Sequence, residues 1–366
     1  MNPQAQAYPK LFLLLIAFAA SLWLGTLNYR SLVLSDEGRY SEIPREMAVS
    51  GDWVTPRLNG VKYFEKPPLQ YWATAAAYKL FGEHAWTARL WPALSGLGCI
   101  LLVFLIGRRI FDENSAFLAA LVLASSPGLI LCAQIVTLDM GLTLFMTATL
   151  LFFLLGLKEH KPKWLLAAWG SAALAVLSKG LIGLVLPGLV LVAYVLIQRD
   201  WKLFLNLRWG SGLLVFLTIA APWFVLVQRA NPEFFDFFFI HEHFRRFSTG
   251  EHRRPGAWWY FIPVLAFAML PWVAQLPRAL LHGWKDAAYQ GHFMPARFLL
   301  LWSVLIFLFF SRSGSKLPSY ILPILPALAL LIGLTLKNQP VRALAWQAGV
   351  LAVGAAAIAL YAPHVT

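Results

Sequence analysis

The chain has 366 residues, of which 59% are hydrophobic and only 13% are charged. Soluble domains are about half apolar and about a quarter charged. This excess of apolar side chains excludes an ordinary soluble fold and indicates that a lipid bilayer surrounds most of the chain. The formal net charge of +13 fits Lys and Arg residues that flank apolar spans and meet anionic lipid head groups, since no nucleic-acid-binding motif accompanies it.

Apolar runs that approach the length of a bilayer span recur along the chain. A spanning helix needs roughly 20 apolar residues, and the sequence offers about eleven candidates. They are residues 10–29, 86–107, 115–134, 138–157, 164–178, 180–198, 209–229, 257–277, 297–311, 317–336 and 341–362. The first is long and lacks a clear cleavage site, which favours a retained helix over a signal peptide. We therefore predict an all-α integral membrane protein with one transmembrane domain over residues 1–366.

Threading these spans with the N-terminus inside places short basic loops on the cytoplasmic face. Two long loops, residues 30–84 and 229–256, then lie on the outer face, with a shorter one over 311–319. The short-loop form of the positive-inside rule favours this orientation, although counting Lys and Arg alone does not decide it. The apolar segment Pro68 to Phe81 is short and is predicted to be a helix lying along the interface. Cys99 and Cys132 lie in apolar runs and indicate no disulfide or metal framework.

The first outer loop mixes ionisable and aromatic side chains directly beside the membrane. Residues 37–47 are predicted to form a helix with Ser35 or Asp36 as its N-cap. Asp36 follows the first span, where a carboxylate can act as a base toward an acceptor or position a cation. Glu37 should point elsewhere on the helix and ranks second. The alternative, a solvated connector, would not need so many aromatic residues.

Two lysines are candidate phosphate ligands. Lys66, in the segment Glu65-Lys66-Pro67-Pro68, is a mobile point charge suited to a phosphate, and the alternative is snorkelling to head groups. Lys316 lies at the mouth of a span with Tyr320 one turn further in. Two interpretations are open: Lys316 and Tyr320 hold a phosphate, or Tyr320 belongs to an ordinary aromatic belt and Lys316 snorkels to the head groups. Asp139, at the outer end of another span, is a helix N-cap, a polar site member, or both.

The second outer loop surrounds Asp236 with aromatic residues and continues with His241, Glu242 and His243. His243 is a candidate metal ligand if the first loop supplies a carboxylate such as Glu65, but the HxH pattern is a weak metal signal and interfacial histidines are more often hydrogen-bonding residues. The adjacent Arg245 and Arg246 suit a phosphate or diphosphate.

Four motifs together resemble one known family. In chain order and all on the outer side, they are DEGRYSEIPREM, GDWVTPRLNGVKYFEKPPLQYW, EHFRRF and SKLPSYILP. They are similar to the aminoarabinose transferase (ArnT) family, which is related to protein O-mannosyltransferases and oligosaccharyltransferases, the membrane-embedded C-type glycosyltransferases. The resemblance extends from the first span to about residue 335.

The resemblance implies roles for individual residues. Asp36 matches the acid at the catalytic centre, and Asp139 matches a further acid near it. Glu65 and His243 match a pair that can hold a zinc ion. The residues that match donor-binding positions are Tyr40, Tyr63, Lys66, Lys316 and Tyr320, with Arg246 added as a phosphate ligand on charge alone.

The resemblance also implies a reaction and its location. The expected donor is a polyprenyl-phosphate sugar such as an undecaprenyl-phosphate derivative, so no nucleotide cofactor is needed. The best-known family members transfer 4-amino-4-deoxy-L-arabinose to lipid A on the periplasmic face of the bacterial inner membrane. Another envelope glycan or a protein is an alternative acceptor. Family members usually carry a C-terminal soluble periplasmic domain that these 366 residues lack, which leaves the acceptor open.

Two other functions are alternatives to a glycosyltransferase. A transporter or flippase of a charged lipid would show an internal repeat, paired half-helices and acids at mid-membrane. The sequence shows no such repeat, and its acids lie in the outer loops. A scaffolding membrane protein would not need the cluster of Asp36, Glu65, Lys66 and Lys316.

Overall fold

The computed structural model describes residues 7–33, 35–245, 256–285 and 293–339, with a few positions between 345 and 353. For residues 241–245 it describes the backbone alone. The helices are α1 (Ala7–Gly25), α2 (Asp36–Ser50), α3 (Leu69–Phe81), α4 (Ala85–Ile110), α5 (Glu113–Ala124), α6 (Pro127–Ala133), α7 (Asp139–Glu159), α8 (Pro162–Lys179), α9 (Ile182–Gln198), α10 (Trp201–Leu205), α11 (Trp209–Ala230), the π-helix α12 (Asp236–Arg245), α13 (Phe261–Ala268), α14 (Leu276–Lys285), α15 (Pro295–Arg312) and α16 (Leu325–Leu336). Short 3₁₀ turns, Trp272–Gln275 and Pro318–Ile324, lead into α14 and α16.

The chain is a helical membrane protein. Six described helices are long and apolar enough to cross a bilayer, and the number rises to eight if each of two bent helix pairs is one span. Every predicted span up to residue 336 corresponds to a helix or a bent helix pair, whereas the candidate 341–362 lies almost entirely outside the described residues.

Two of the predicted spans are bent helix pairs. The candidate 115–134 is divided into α5 and α6, which meet at 60°. Pro127 causes this break because it has no N–H to donate and disfavours helical geometry at the preceding residue. The hydroxyls of Ser125 and Ser126 donate to the Leu121 and Val122 carbonyls in the last turn of α5, at 2.7 and 2.6 Å. The candidate 257–277 is divided into α13 and the segment 272–285, which meet at 109° just after Pro271.

The core lies among α4, α5, α7, α15 and α16, whose buried faces form one continuous apolar cluster. Small residues let these helices approach closely. A Cβ added to Gly333 of α16 would lie 2.4 Å from the Ser115 carbonyl oxygen and 2.8 Å from the Ala119 nitrogen of α5. The pairing of α5 with α16 therefore depends on a glycine at this position.

The first outer loop folds into α2, a small hairpin and α3. The hairpin pairs β1 (Arg57–Leu58) with β2 (Val61–Lys62) in antiparallel fashion. Its turn residues are Asn59 and Gly60, which both have positive φ, the arrangement that favours Asn-Gly in two-residue hairpins. The predicted helices over 37–47 and 68–81 are confirmed as α2 and α3, while the hairpin was not predicted.

A second apolar cluster joins α2 to α3. It contains Tyr40, Ile43 and Met47 of α2 with Tyr71 and Tyr78 of α3. This cluster fixes the face of α2 that carries Tyr40, and it thereby positions the ionisable groups at the beginning of the helix.

Candidate active site

The beginning of α2 is anchored by a buried ion pair. The Glu37 carboxylate is 2% exposed and accepts two hydrogen bonds from the Arg89 guanidinium of α4, each 3.0 Å. Arg30 donates to it at 2.7 Å. The backbone N–H groups of Val33 and Val136 donate at 2.9 and 3.0 Å. Both carboxylate oxygens of Glu37 therefore accept hydrogen bonds, and these bonds connect the first outer loop to α4 and to the segment that precedes α7.

Arg89 is fully satisfied as well. Its Nη1 donates to the carbonyls of Leu27 and Arg30 at 2.9 and 2.8 Å, and its Nη2 donates to Ser31 at 2.8 Å. With the two bonds to Glu37, all five guanidinium N–H groups have partners. Burial alone would raise the pKa of Glu37, but the hydrogen bonds from Arg89, Arg30 and the two backbone N–H groups outweigh it and lower the pKa to about 2.

Asp36 has a different environment from its neighbour. Its side chain is 34% exposed, and its ion-pair partner is Arg39, one turn along α2, at 2.5 Å. The Arg39 guanidinium also lies over the rings of Tyr40 and Tyr63, with 5.0 and 5.9 Å to the centroids. Ser35 occupies the N-cap position but makes no side-chain capping bond. Asp36 is therefore an accessible carboxylate whose counter-charge is held in place by two aromatic rings.

The hairpin and the segment after it bring Tyr63, Glu65 and Lys66 to the cluster at the beginning of α2. The Tyr63 hydroxyl donates to Glu65 Oε2 at 2.9 Å, and Lys66 Nζ donates to the Glu65 carbonyl at 2.8 Å. Burial, together with neighbouring acidic groups such as Glu65, raises the pKa values of Tyr40 and Tyr63 well above the ordinary tyrosine value. Both phenols therefore remain neutral at physiological pH. The Tyr40 hydroxyl can donate a hydrogen bond to an anion, and the Tyr63 hydroxyl can do so once it turns from Glu65.

A second polar cluster forms where α7, α8 and the turn before α16 meet. Asp139, the first residue of α7, forms an ion pair with Lys179 at the end of α8. Lys179 Nζ also lies 4.8 Å from the centroid of the Tyr320 ring. The charge of Asp139 contributes to the raised pKa of Tyr40, so the two clusters are electrostatically connected. The structure thus brings Asp36, Tyr40, Tyr63, Glu65 and Lys66 near Asp139 and Tyr320, and adds Arg39 and Lys179, which sequence reasoning did not select.

Lys316 is engaged by the protein itself. It is 6% exposed, and its ammonium donates to the carbonyls of Ser311 and Ser313 at 2.7 and 2.8 Å. A longer contact of 3.5 Å reaches the Phe310 carbonyl. These carbonyls lie at or just beyond the end of α15, where a cation also interacts favourably with the helix dipole. In this structure Lys316 therefore caps α15.

Two predicted residues lie outside the described side chains. Arg246 is outside the described residues altogether, and His243 is described only through its backbone in α12. Within the part of the chain that is described, no group of three His, Cys, Asp or Glu residues gathers as a metal site. Glu65 Oε2 accepts from Tyr63, which leaves Oε1 of the same carboxylate for a metal. Glu65 is thus the one predicted zinc ligand whose side chain the structure describes, and the metal assignment stays a prediction.

An apolar groove of about 290 Å³ begins beside the second cluster. It lies between α6, α13 and the turn before α16. Among its lining residues are Leu131, Phe267 and Ile321, with Thr137 and Ser319 at the end nearest Asp139 and Tyr320. Its walls are almost entirely apolar, so it suits a hydrocarbon chain whose polar end lies at the ion pair.

Comparisons with known proteins identify relatives of this chain. Residues 65–226 match the family model described as dolichyl-phosphate-mannose-protein mannosyltransferase. An undecaprenyl phosphate-alpha-4-amino-4-deoxy-L-arabinose arabinosyl transferase of Pseudomonas fluorescens is 38% identical over 335 residues, which are 89% of this chain and 56% of that protein. The enzyme of that name from Pseudomonas paraeruginosa is 37% identical and covers 96% of this chain and 64% of its own length.

Solved structures share the fold. The crystal structure of ArnT from Cupriavidus metallidurans bound to undecaprenyl phosphate has a TM-score of 0.88 at 42% identity, covering 96% of this chain and 65% of that one. The oligosaccharyltransferase of Archaeoglobus fulgidus, at 15% identity, has a TM-score of 0.59 and shares the fold alone. The chain spans less than two thirds of the length of the relatives it matches.

The helix arrangement is the fold of the membrane-embedded C-type glycosyltransferases. Within that class the chain belongs to the aminoarabinose transferase (ArnT)-like family, as its sequence motifs indicated.

Proposed function

We propose that the protein transfers a sugar, 4-amino-4-deoxy-L-arabinose or a related one, from a polyprenyl-phosphate donor to an envelope acceptor. The main observation is the accessible Asp36 carboxylate, which lies among cations and neutral phenols close to an apolar groove. The names of the relatives support the sugar and the undecaprenyl-phosphate carrier. Lipid A is the proposed acceptor, with another envelope glycan or a protein as the alternative.

The proposed donor has its prenyl chain among the membrane helices and its phosphate at the outer loops. Its prenyl chain lies in the apolar groove, and its phosphate lies near Lys66 and Arg246, with Tyr40 and Tyr63 donating hydrogen bonds. As the bond between the anomeric carbon and the phosphate oxygen breaks, negative charge accumulates on the leaving polyprenyl phosphate. Positioned cations and phenols stabilise that charge more than they stabilise the bound donor, and this difference lowers the barrier.

The role of Asp36 depends on the acceptor. An acceptor hydroxyl must lose a proton as its oxygen attacks the anomeric carbon, and Asp36 would take that proton as a general base. An acceptor phosphate is already anionic, so Asp36 would instead orient the acceptor through Arg39. Attack opposite to the leaving phosphate inverts the configuration at the anomeric carbon in either case.

The proposed topology has about eleven spans, with α8 and α9 crossing as a short pair and α2 and α3 lying along the interface. The site then faces the periplasm of a bacterial inner membrane. Glu65 and His243 are proposed as zinc ligands, which would place a divalent charge beside the phosphate. Metal analysis of the purified protein and of Glu65→Gln tests that assignment directly, since the variant should lose bound zinc.

The proposed function is tested by sugar transfer from a polyprenyl-phosphate donor with the purified protein in lipid. Asp36→Asn and Lys66→Ala should each lower the transfer rate by about a hundredfold or more, the usual range for a general base or an electrostatic contact of the transition state. Glu42→Gln is the matched control because Glu42 lies on the same helix and pairs with Arg45 at 2.6 Å, away from the cluster. Undiminished transfer in both variants would reject the mechanism.

The acceptor is tested separately by mass spectrometry of lipid A and other envelope glycans with and without the gene. A loss of aminoarabinose from lipid A is the expected result. An unchanged lipid A together with a changed glycan or glycoprotein would reject lipid A and retain the wider class.

A further inference from the structure

A large cavity lies at the end of the helices opposite to the candidate active site. It has a volume of about 890 Å³ and is lined by the last turn of α7, the loop into α8, the end of α9 and helix α10. Asp139 begins α7 and Gly156 of the same helix lines the cavity. Because an α-helix rises about 1.5 Å per residue, some 25 to 30 Å separate this cavity from the candidate active site, about the thickness of a hydrocarbon core.

The cavity has a basic rim. Lys161, Lys202 and Arg208 line it, and Asp200 is the one carboxylate among its lining residues. Asp200 accepts a hydrogen bond from the backbone N–H of Lys202 and caps α10. Lys161 shares Glu159 with Arg109. Among the described residues, neither Lys202 nor Arg208 has a carboxylate within ion-pair distance, so two exposed cations remain for an external anion.

Helix α10 has the side chains of a helix in the head-group region. Trp201 and Leu205, one turn apart, are 62% and 75% exposed, and Leu205 lines the cavity together with Lys202 and Asn206. An exposed Trp and Leu beside a basic edge are typical of a helix in the interface between water and lipid.

A second, apolar groove adjoins this cavity on the membrane side. It has a volume of about 380 Å³ and lies between α8, α9 and α11. Leu165 lines both spaces, and the residues around Arg208 alternate between them, since Leu207 and Trp209 line the groove. Trp169 forms another part of the groove wall. A basic polar space thus adjoins, at Leu165, a hydrocarbon-lined space between the helices.

We propose that these two spaces form a binding site for an anionic glycerophospholipid of the cytoplasmic leaflet, separate from the donor and acceptor sites. The phosphate of the lipid binds Lys202 and Arg208, and one acyl chain lies in the groove. Basic pockets between helices on the cytoplasmic side are the sites at which anionic head groups bind. The groove selects a lipid over a soluble phosphate because only a lipid places a hydrocarbon chain beside the head group.

The head-group contact is tested by native mass spectrometry of the full chain titrated with phosphatidylglycerol or with phosphatidylcholine. Phosphatidylglycerol should bind more tightly, and the double variant Lys202→Ala/Arg208→Ala should weaken it about twentyfold, because each Lys or Arg near the surface contributes roughly a fivefold factor. Lys163→Ala is the matched control, since this exposed lysine lies in the same loop region but outside the cavity. Equal binding of both lipids, or binding unchanged in the double variant, overturns the proposal.

The acyl-chain contact is tested at Gly188, which lines the groove and has open space where a Cβ would be. Gly188→Leu should fill the groove and weaken phosphatidylglycerol binding without a clash in the fold. Gly25→Leu is the control because its Cβ also meets open space, at the end of α1. Loss of binding in the double variant with full binding in Gly188→Leu, or displacement of the lipid by millimolar inorganic phosphate, would identify a soluble-anion site and overturn the lipid assignment.

Discussion

Asp36 and Glu37 are adjacent in sequence, yet their carboxylates have opposite environments. Glu37 is 2% exposed and holds two guanidinium groups and two backbone N–H groups, so no lone pair is left for a substrate. Asp36 has one ion-pair partner and is 34% exposed, so it can turn from Arg39 to a ligand. The helix therefore directs the Glu37 carboxylate toward the protein and the Asp36 carboxylate toward the candidate site. This agrees with the expectation that Glu37 points elsewhere on the helix.

Glu37→Gln should destabilise the protein while leaving the site residues in place. The substitution leaves the buried Arg89 without its counter-charge, and breaking a buried ion pair usually costs about 3–5 kcal/mol. We expect a clearly lower midpoint of thermal unfolding in detergent, with Glu42→Gln as the exposed control on the same helix. Equal unfolding midpoints for both variants and the parent protein would contradict this role.

The same carboxylate predicts a pH dependence of stability. Its pKa falls from 4.5 in the unfolded chain to about 2 in the fold, so its stabilisation is complete above pH about 4.5. The stabilisation is lost as pH falls from about 4.5 toward 2, because the unfolded chain takes up the proton first. The difference in unfolding midpoint between the parent and Glu37→Gln should therefore shrink over this range. A constant difference would show that Glu37 does not titrate as proposed.

Lys316 allows a direct test between two roles. If it caps α15, Lys316→Met should cost about 1.5–3 kcal/mol of stability, the usual contribution of charged hydrogen bonds, and should change the KM for the donor little. If it binds the donor phosphate, the KM should rise while the unfolding midpoint is retained. The carbonyl contacts of 2.7 and 2.8 Å favour the first result.

At this scale the sequence could predict that Asp36 is accessible and that Tyr40 and Tyr63 lie near it, because these residues occur in contiguous motifs. Their roles toward the donor stay predictions. It did not predict the Glu37–Arg89 pair, whose members are 52 residues apart. A signal was present, since Arg89 lies inside a predicted apolar span and a buried cation near a membrane needs a carboxylate partner. The sequence did not single out Lys179 as a site residue, because a lysine at the end of a span usually snorkels to the head groups.

Among the elements, apolar length predicted where helices occur but not where they bend. Pro127 and Pro271 interrupt two spans because a proline removes a helical hydrogen bond, whereas Pro92 and Pro222 lie within continuous helices. Sequence alone does not separate these cases, since packing against neighbouring helices decides whether the lost bond is tolerated. The hairpin was predictable in principle, because Asn59-Gly60 is the strongest short-range hairpin signal.

The contact between α5 and α16 predicts a strong response to a single methyl group. Gly333→Ala should destabilise the protein by about 1–3 kcal/mol through overpacking, even though alanine favours a helix by roughly 1 kcal/mol over glycine. Gly188→Ala is the control because open space surrounds its Cβ, and it should leave stability unchanged or slightly raised. Equal thermal unfolding midpoints for the two variants would show that α5 and α16 separate easily.

For the whole molecule, many cations at the end of the helices opposite to the candidate active site have structural partners. Lys158 donates to the Arg109 and Ile110 carbonyls at the end of α4, and Lys337 pairs with Asp112 at 3.0 Å. Arg109 pairs with Glu159 at 2.5 Å. These cations cap helices and join loops, so their number reflects the architecture as well as orientation.

The proposed orientation can be measured with single cysteines at the two ends of the molecule. Val61→Cys, in the 69%-exposed hairpin position beside the site, should react with a membrane-impermeant maleimide in intact spheroplasts. Lys163→Cys, in the first turn of α8, should react only after permeabilisation, because the two positions lie across about 30 Å of hydrocarbon. Both variants are made in a Cys132→Ser background, since Cys99 is buried. Labelling of both cysteines from the same side would reject the proposed topology, and labelling in the reverse order would place the site in the cytoplasm.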